Sequence, residues 1–204
     1  MGIVGDSKSA TSNSAVTWPG LLIAALNSDY NPSPGIVTVE DIPRNWAVGS
    51  MKVGGLDNMI NGWLALHTPN TEHDTIFLFP VNIGSNDLAD GTTESSFKTS
   101  YASVLNKILA VYPRAIFFLT YPARRGFNTE GAAMKTWIQA IISDFAISDP
   151  DHVFAGDDEL VWFENGDDFA TYSDDGIHQN AAGQIEGEAQ KEVIIKAYLT
   201  SLGH

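Results

Sequence analysis

The sequence predicts an α/β protein: one domain over residues 1–204, folded as a three-layer αβα sandwich around a parallel sheet of about five strands. Three observations lead to it. Short strand-like apolar segments alternate with longer segments of helical periodicity, which implies βαβ units with helices on both faces of a parallel sheet. Two strand segments, TIFLFPVNI and AIFFLTY, are apolar at nearly every position, as expected of strands buried on both faces. A length of 204 residues with a hydrophobic fraction of 44% suits one domain with a sizeable core.

Residues 1–4 form a short apolar strand that runs into Gly5-Asp6-Ser7. Residues 18–26 are apolar at helical spacing, with Pro19 near the start, where a missing N–H breaks no intrahelical bond. Residues 36–48 carry β-branched runs interrupted by Pro43, and residues 56–66 read as a helix. The buried strand at 75–83 precedes a periodic helix at 97–111, and the second buried strand occupies 115–121. A long helix at 130–145 leads to a short strand at 153–155. The acidic, aromatic, Gly-containing stretch 156–174 reads as a loop, and a helix at 181–202 closes the chain. There is no internal repeat, low-complexity tract or linker. Open parallel sheets bind ligands beyond the carboxyl ends of their strands, so the residues after each strand are where chemistry is expected.

Composition removes several classes of function. A formal net charge of -14 repels nucleic acid and anionic membrane. With 0 cysteines there is no disulfide, thiolate metal site or cysteine nucleophile. No apolar run is long enough to span a bilayer. The opening residues MGIVGDS carry no basic and apolar leader, so the protein is expected to be cytoplasmic, or secreted with its leader removed.

Four places carry candidate chemistry. Ser7, in Gly5-Asp6-Ser7, sits at a strand-to-helix turn that exposes its hydroxyl and aims its own N–H at any oxyanion formed beside it. The same tripeptide also suits a plain helix cap. His178 ends Asp175-Gly176-Ile177-His178, just before the last helix. An imidazole titrates near neutrality, so it can take and return a serine proton. A carboxylate three residues earlier can hold it in one tautomer. Asn86, in Gly84-Ser85-Asn86-Asp87, offers an amide NH2 to an oxyanion, although these are also turn residues. Gly49 follows a strand and can bring a backbone N–H close to a ligand, with Gly54 and Gly55 as competitors.

Taken in chain order, with Ser7 first, Gly49 second, Gly84-Ser85-Asn86-Asp87 third and Asp175-Gly176-Ile177-His178 last, each behind its own strand, the four blocks resemble the SGNH (GDSL-like) hydrolase family. The resemblance runs from Gly5 to the helix after His178, and HQNAAGQ is similar to the family's exit from its histidine. It implies a flavodoxin-like sheet and a serine esterase with neither cofactor nor metal. It also implies Ser7 as nucleophile, His178 as base and Asp175 as the acid that orients it, with Asp174 as the alternative acid. The Ser7 and Gly49 N–H groups and the Asn86 side chain would form the oxyanion hole. Asp6 and Asp87 match motif positions and are expected to brace their turns. The chain departs from the family pattern at Lys8, where an apolar residue is usual, at Gln179, where proline is frequent, and around Gly49, which lacks a Gly-x-Thr.

The substrate is expected to be a small-molecule or carbohydrate ester with a short acyl group, acetyl for preference, because no long apolar lid is visible. Trp46, Arg124 and Trp162 are candidate substrate contacts. Phe127, Phe163, Tyr172 and Arg125 lie in the same loops. Alternatives are a lysophospholipase or arylesterase of the same type, and a non-catalytic carbohydrate-binding module. A metal hydrolase finds no H-E-x-x-H, and His67, His73, His152 and His204 are scattered. A flavin binder would need a phosphate loop, and GDSKSATSNS lacks the glycine frame of one.

Overall fold

The computed structural model describes residues 1, 3–10, 17–30, 45–65, 77–163 and 168–203. Its five strands are β1 (Ile3–Gly5), β2 (Asn45–Ala47), β3 (Phe77–Asn82), β4 (Ala115–Tyr121) and β5 (Val153–Asp158). They form one sheet in the order β2-β1-β3-β4-β5, with every pairing parallel. The described helices are α1 (Ser7–Ala10), α2 (Trp18–Tyr30), α3 (Val53–Leu64), α4 (Ser85–Ala89), α5 (Glu94–Val111), α6 (Asn128–Ser148), α7 (Glu159–Trp162), α8 (Asp168–Tyr172) and α9 (Ala181–Ser201).

Successive strand residues point to opposite faces, which explains why the central strands are apolar throughout. Phe79 and Val81 of β3 and Phe117 and Leu119 of β4 join Leu56, Ile60, Phe97, Leu105 and Ile138 from α3, α5 and α6 in the larger core cluster. Leu78, Ile116 and Phe118, one position out of phase, pack on the other face with Trp18, Leu22, Ile195 and Leu199 from α2 and α9. The parallel three-layer architecture expected from the sequence is therefore present.

Several boundaries differ from the expectation, each for a tertiary reason. Helix α3 begins at Val53, ahead of residue 56, because the Val53 N–H donates to Asp87 Oδ2 at 3.0 Å while Lys52 supplies no side-chain cap. Strand β5 runs three residues past 155, into hydrophilic sequence. Asp157 is buried there because Thr120 Oγ1, Trp162 Nε1 and Lys191 Nζ all donate to it, at 2.6, 3.2 and 2.8 Å. The stretch 156–174 is thus not a plain loop, since it also holds α7 and α8. Of the strand expected at 36–48, only 45–48 lie within the described residues, and β2 occupies 45–47 of them.

Gly5 ends β1 where no side chain fits. A Cβ there would lie 2.5 Å from Ser9 Oγ and 2.6 Å from the Asn82 carbonyl oxygen. Backbone cannot yield as a flexible side chain can, so Gly5→Ala should lower stability by about 1–3 kcal/mol. Urea unfolding midpoints of the two proteins check this.

Candidate active site

From β1 the chain first moves outward to β2, then returns across β1 to β3 on its other side. Loops leaving β1 and β3 therefore diverge at the carboxyl end of the sheet, and ligand sites form in the crevice between them. Ser7 opens α1 directly after β1, and Asn86 lies in α4 directly after β3. The two turns are tied together. The Asp6 N–H donates to the Asn82 carbonyl at 3.2 Å, and Ser85 Oγ donates to Asp6 Oδ2 at 2.6 Å. Asp6 Oδ1 accepts from the Lys8 N–H at 3.0 Å. Burial pushes the Asp6 carboxyl above the ordinary carboxylate value, with Lys8 and the Ser85 hydroxyl opposing. Asp6 and Asp87 both sit in the bracing contacts expected for them.

The loop before α9 brings the histidine to the serine. His178 Nε2 lies 3.0 Å from Ser7 Oγ, and His178 Nδ1 lies 2.7 Å from Asp175 Oδ2. Asp175 Oδ1 accepts the N–H groups of Ile177 and His178, at 2.8 and 2.7 Å, so the carboxylate is held by its own loop. Ser173 closes that loop: its hydroxyl donates to the His178 carbonyl at 2.7 Å and accepts the Gly176 N–H at 2.8 Å. Desolvation raises the Asp175 carboxyl, but hydrogen bonds from the His178 ring and from the two N–H groups outweigh it and bring it down to about 2. Asp174 faces away and accepts from Asn180 Nδ2 at 3.2 Å. Asp175 is the carboxylate in contact with the imidazole.

Asn86 is fixed at both ends of its amide. Its Nδ2 donates to the Met51 carbonyl at 3.1 Å, and its Oδ1 accepts from Arg124 Nη1 at 3.3 Å. A guanidinium only donates and a carbonyl only accepts, so the amide orientation is determined. One Nδ2 hydrogen is committed to Met51, and the second is not needed there. Gly49 lies in the exposed turn after β2, anchored by the Val48 N–H on the Gly5 carbonyl at 3.1 Å. That bond sets the Gly49 turn beside the end of β1.

The aromatic and basic candidates divide differently from the sequence expectation. Trp162 is no open substrate platform. It is buried, donates its indole N–H to Asp157, and packs against Phe163 and Tyr172 with ring centroids 5.5 and 5.9 Å away. Arg124 is not a solvated cation: its Nη1 reaches the Ser85 carbonyl and Asn86 Oδ1, and its guanidinium lies 5.8 Å from the Phe127 ring centre. Arg125 packs on Gly176, in the histidine loop. Trp46 belongs to β2, and its side chain lies outside the described residues. His67, His73 and His204 are also outside them, while His152 Nδ1 contacts the Ala115 carbonyl at 2.7 Å, at the other end of β4. Among the described residues no cluster of three His, Cys, Asp or Glu side chains could hold a metal, and no helix is long and apolar enough to cross a membrane.

Sequence reasoning missed the charges beneath the site. Lys8 is buried, and its Nζ donates to Glu159 Oε2 at 2.6 Å and stands 4.9 Å from the Phe163 ring centre. Burial would raise Glu159, but Lys8 and Lys191 outweigh it and hold the carboxyl below its ordinary value. Lys8 in an apolar position was the available signal. Nothing in the acidic stretch around Glu159 singled out that residue.

The depressed Asp175 carboxyl gives a signed pH dependence. Its ordinary value is 3.8, and in the folded protein it is about 2. The stabilisation is therefore complete above the ordinary value and disappears as pH falls through the folded one. Asp175 is 39% exposed, so solvent screens the contact and the effect is modest. The stability gap between the native protein and Asp175→Asn, measured by urea titration, should narrow steadily from about pH 5 to about pH 2.

Comparison with known proteins bears on the family and the fold. A family model described as GDSL-like Lipase/Acylhydrolase matches residues 1–186. No curated protein matches the sequence. Among solved structures, a mutant acetyl esterase with an acetate ion superposes with a TM-score of 0.72 at 17% identity, covering 98% of this chain and 98% of the other. A carbohydrate esterase family 3 protein from Talaromyces cellulolyticus gives 0.68 at 18% identity, covering 98% and 97%. An acetylxylan esterase mutant from Geobacillus stearothermophilus gives 0.67 at 12% identity, covering 92% and 90%. Identities this low establish a shared fold alone, whereas the family model extends over nearly the whole chain. The chain belongs to the GDSL-like lipase/acylhydrolase family, whose members are carboxylic ester hydrolases.

Proposed function

We propose that this ester hydrolase works through an acyl-Ser7 intermediate and removes short acyl groups, acetyl above all, from carbohydrates. The observation that carries the chemistry is the continuous contact from Asp175 through His178 to Ser7, at 2.7 and 3.0 Å. A serine hydroxyl is a weak nucleophile until a base accepts its proton. Here Nε2 faces Oγ, and the carboxylate on Nδ1 favours the tautomer that leaves Nε2 free to accept.

In the first half-reaction Ser7 Oγ bonds to the ester carbonyl carbon as its proton passes to His178 Nε2. The carbonyl π electrons move to oxygen, and the oxyanion takes hydrogen bonds from the free Nδ2 hydrogen of Asn86 and from the Ser7 and Gly49 N–H groups. The tetrahedral intermediate collapses, the alkoxide leaves with the proton from His178, and Ser7 carries the acyl group. In the second half-reaction water gives its proton to the same nitrogen and attacks the acyl carbon. Collapse returns the proton to Ser7 and releases the carboxylic acid. Arg124, on the far side of the Asn86 amide, polarises it and strengthens the N–H that meets the oxyanion.

The acyl and alcohol assignments draw on solved structures of the same fold. Solved neighbours of the same fold include the acetate-bound acetyl esterase and carbohydrate esterases from two organisms.

A fluorophosphonate probe should label Ser7 in the native protein, and Ser7→Ala should lose both label and p-nitrophenyl acetate hydrolysis. Asn86→Ala should keep the label while turnover falls about 10²–10³-fold. Acetylated sugars should be hydrolysed faster than butyrate or longer p-nitrophenyl esters. The reverse order overturns the carbohydrate assignment, and loss of activity on adding a chelator overturns the metal-free mechanism.

A further inference from the structure

Two departures of this chain from its family pattern meet at one buried carboxylate. Lys8 follows Ser7, and Gln179 follows His178. Lys8 Nζ donates to Glu159 Oε2 at 2.6 Å, and Gln179 Nε2 donates to Glu159 Oε1 at 3.2 Å. The same planar group therefore touches the immediate chain neighbours of the nucleophile and of the base, which are 171 positions apart in sequence. All three side chains are excluded from solvent, at 1% exposure for Lys8 and 0% for Glu159 and Gln179.

Glu159 is itself firmly held. Its Oε2 also accepts the Ala123 N–H at 3.0 Å, and its Oε1 accepts Asn82 Nδ2 at 2.9 Å. Asn82 is the last residue of β3 and Ala123 lies just past the end of β4, so the carboxylate is referenced to the sheet. Gln179 cannot turn its amide over freely, because its Oε1 accepts Gln184 Nε2 at 3.1 Å. Gln184 Oε1 in turn accepts the Trp18 N–H at 2.6 Å, which ties the chain of amides to the start of α2.

A buried ion pair is a poor source of net stability, since desolvating both charges offsets most of their attraction. It is an effective geometric restraint, because moving either partner leaves a buried charge or donor unsatisfied. With four donors on two oxygens, Glu159 has little freedom to shift towards one neighbour and away from the other. Lys8 and Gln179 each convey that restraint to the catalytic side chain one residue away.

We propose that Glu159 is a positioning residue for the Ser7–His178 pair, holding Lys8 and Gln179 so that hydroxyl and imidazole stay in reacting contact. The inference rests on the acyl-Ser7 reading above. Glu159 lies beneath the site, and its effect on catalysis passes through its two neighbours.

The test is kcat and KM for p-nitrophenyl acetate, expressed per site labelled by a fluorophosphonate, in Glu159→Gln, Gln179→Met, Lys8→Met and the Lys8→Met/Gln179→Met double variant. Urea unfolding is followed in parallel. Gln179→Met should lower kcat per labelled site by about tenfold or more, with KM changed less than about twofold, since small misplacements of reacting groups act on the chemical step. The two single losses in kcat should fail to multiply in the double variant, because both act through one carboxylate. A purely structural role would reduce the labelled fraction and the unfolding midpoint but leave kcat per labelled site intact. That result in Gln179→Met overturns the proposal. Gln179→Met keeps the Lys8–Glu159 pair, so it decides the matter even if variants that break the pair fail to fold. A native protein that takes no label and cleaves no ester would instead overturn the acyl-Ser7 reading, and the positioning role with it.

Discussion

The pairing of β1 with β3 is the constraint from which the site follows. Only two residues of each strand are in register, Val4 with Val81 and Gly5 with Asn82. The ladder is then prolonged past the end of β1 by the Asp6 N–H on the Asn82 carbonyl. That approach is open only to a residue without Cβ at position 5. Once the two strands end side by side, Ser85 reaches Asp6 and the turns carrying Ser7 and Asn86 face the same crevice. The histidine arrives last, on a loop rigidified by Ser173 and Asp175, and closes against Ser7.

The sheet changes character along its length. Its middle is apolar on both faces, while its carboxyl rim is polar and still buried, with Asn82 on β3, Thr120 on β4 and Asp157 on β5. Buried polar groups persist only when partnered: Asn82 donates to Glu159, Thr120 donates to Asp157, and each of those two carboxylates is met by a lysine from a distant helix. Lys8 of α1 meets Glu159, and Lys191 of α9 meets Asp157, both at side-chain exposures of 4% or less. In a chain of net charge -14, these two cations lie inside, beneath the site. They fix the relative placement of β5, α7 and α9 under the crevice.

How much of this could be read from the sequence depended on the range of the interactions involved. The central strands were legible because burial on both faces writes itself as an unbroken apolar run. Ser7, His178 and Asn86 were singled out through the order of their blocks along the chain and the family it resembles, because each block alone also suits a helix cap, a turn or a surface loop. The choice between Asp174 and Asp175 was not, since adjacent residues differ only in which way the folded loop points them. The start of α3 depended on a cap supplied by Asp87, 34 residues away, and no local pattern announces such a cap. Trp162 lay in sequence rich in acids and aromatics that suited an open loop, but Asp157 and Tyr172 draw it inward. Lys8 was visible as an oddity, while its partner Glu159 was one acidic residue among many.

The proposed covalent role of Ser7 is tested most directly by catching the acyl group on it. Native protein turning over p-nitrophenyl acetate would be quenched in acid, digested and mapped by mass spectrometry. The peptide carrying Ser7 should gain the mass of one acetyl group, and fragmentation should place it on that side chain. An actively hydrolysing protein whose Ser7 peptide stays unmodified, with acetyl elsewhere or nowhere, would contradict it.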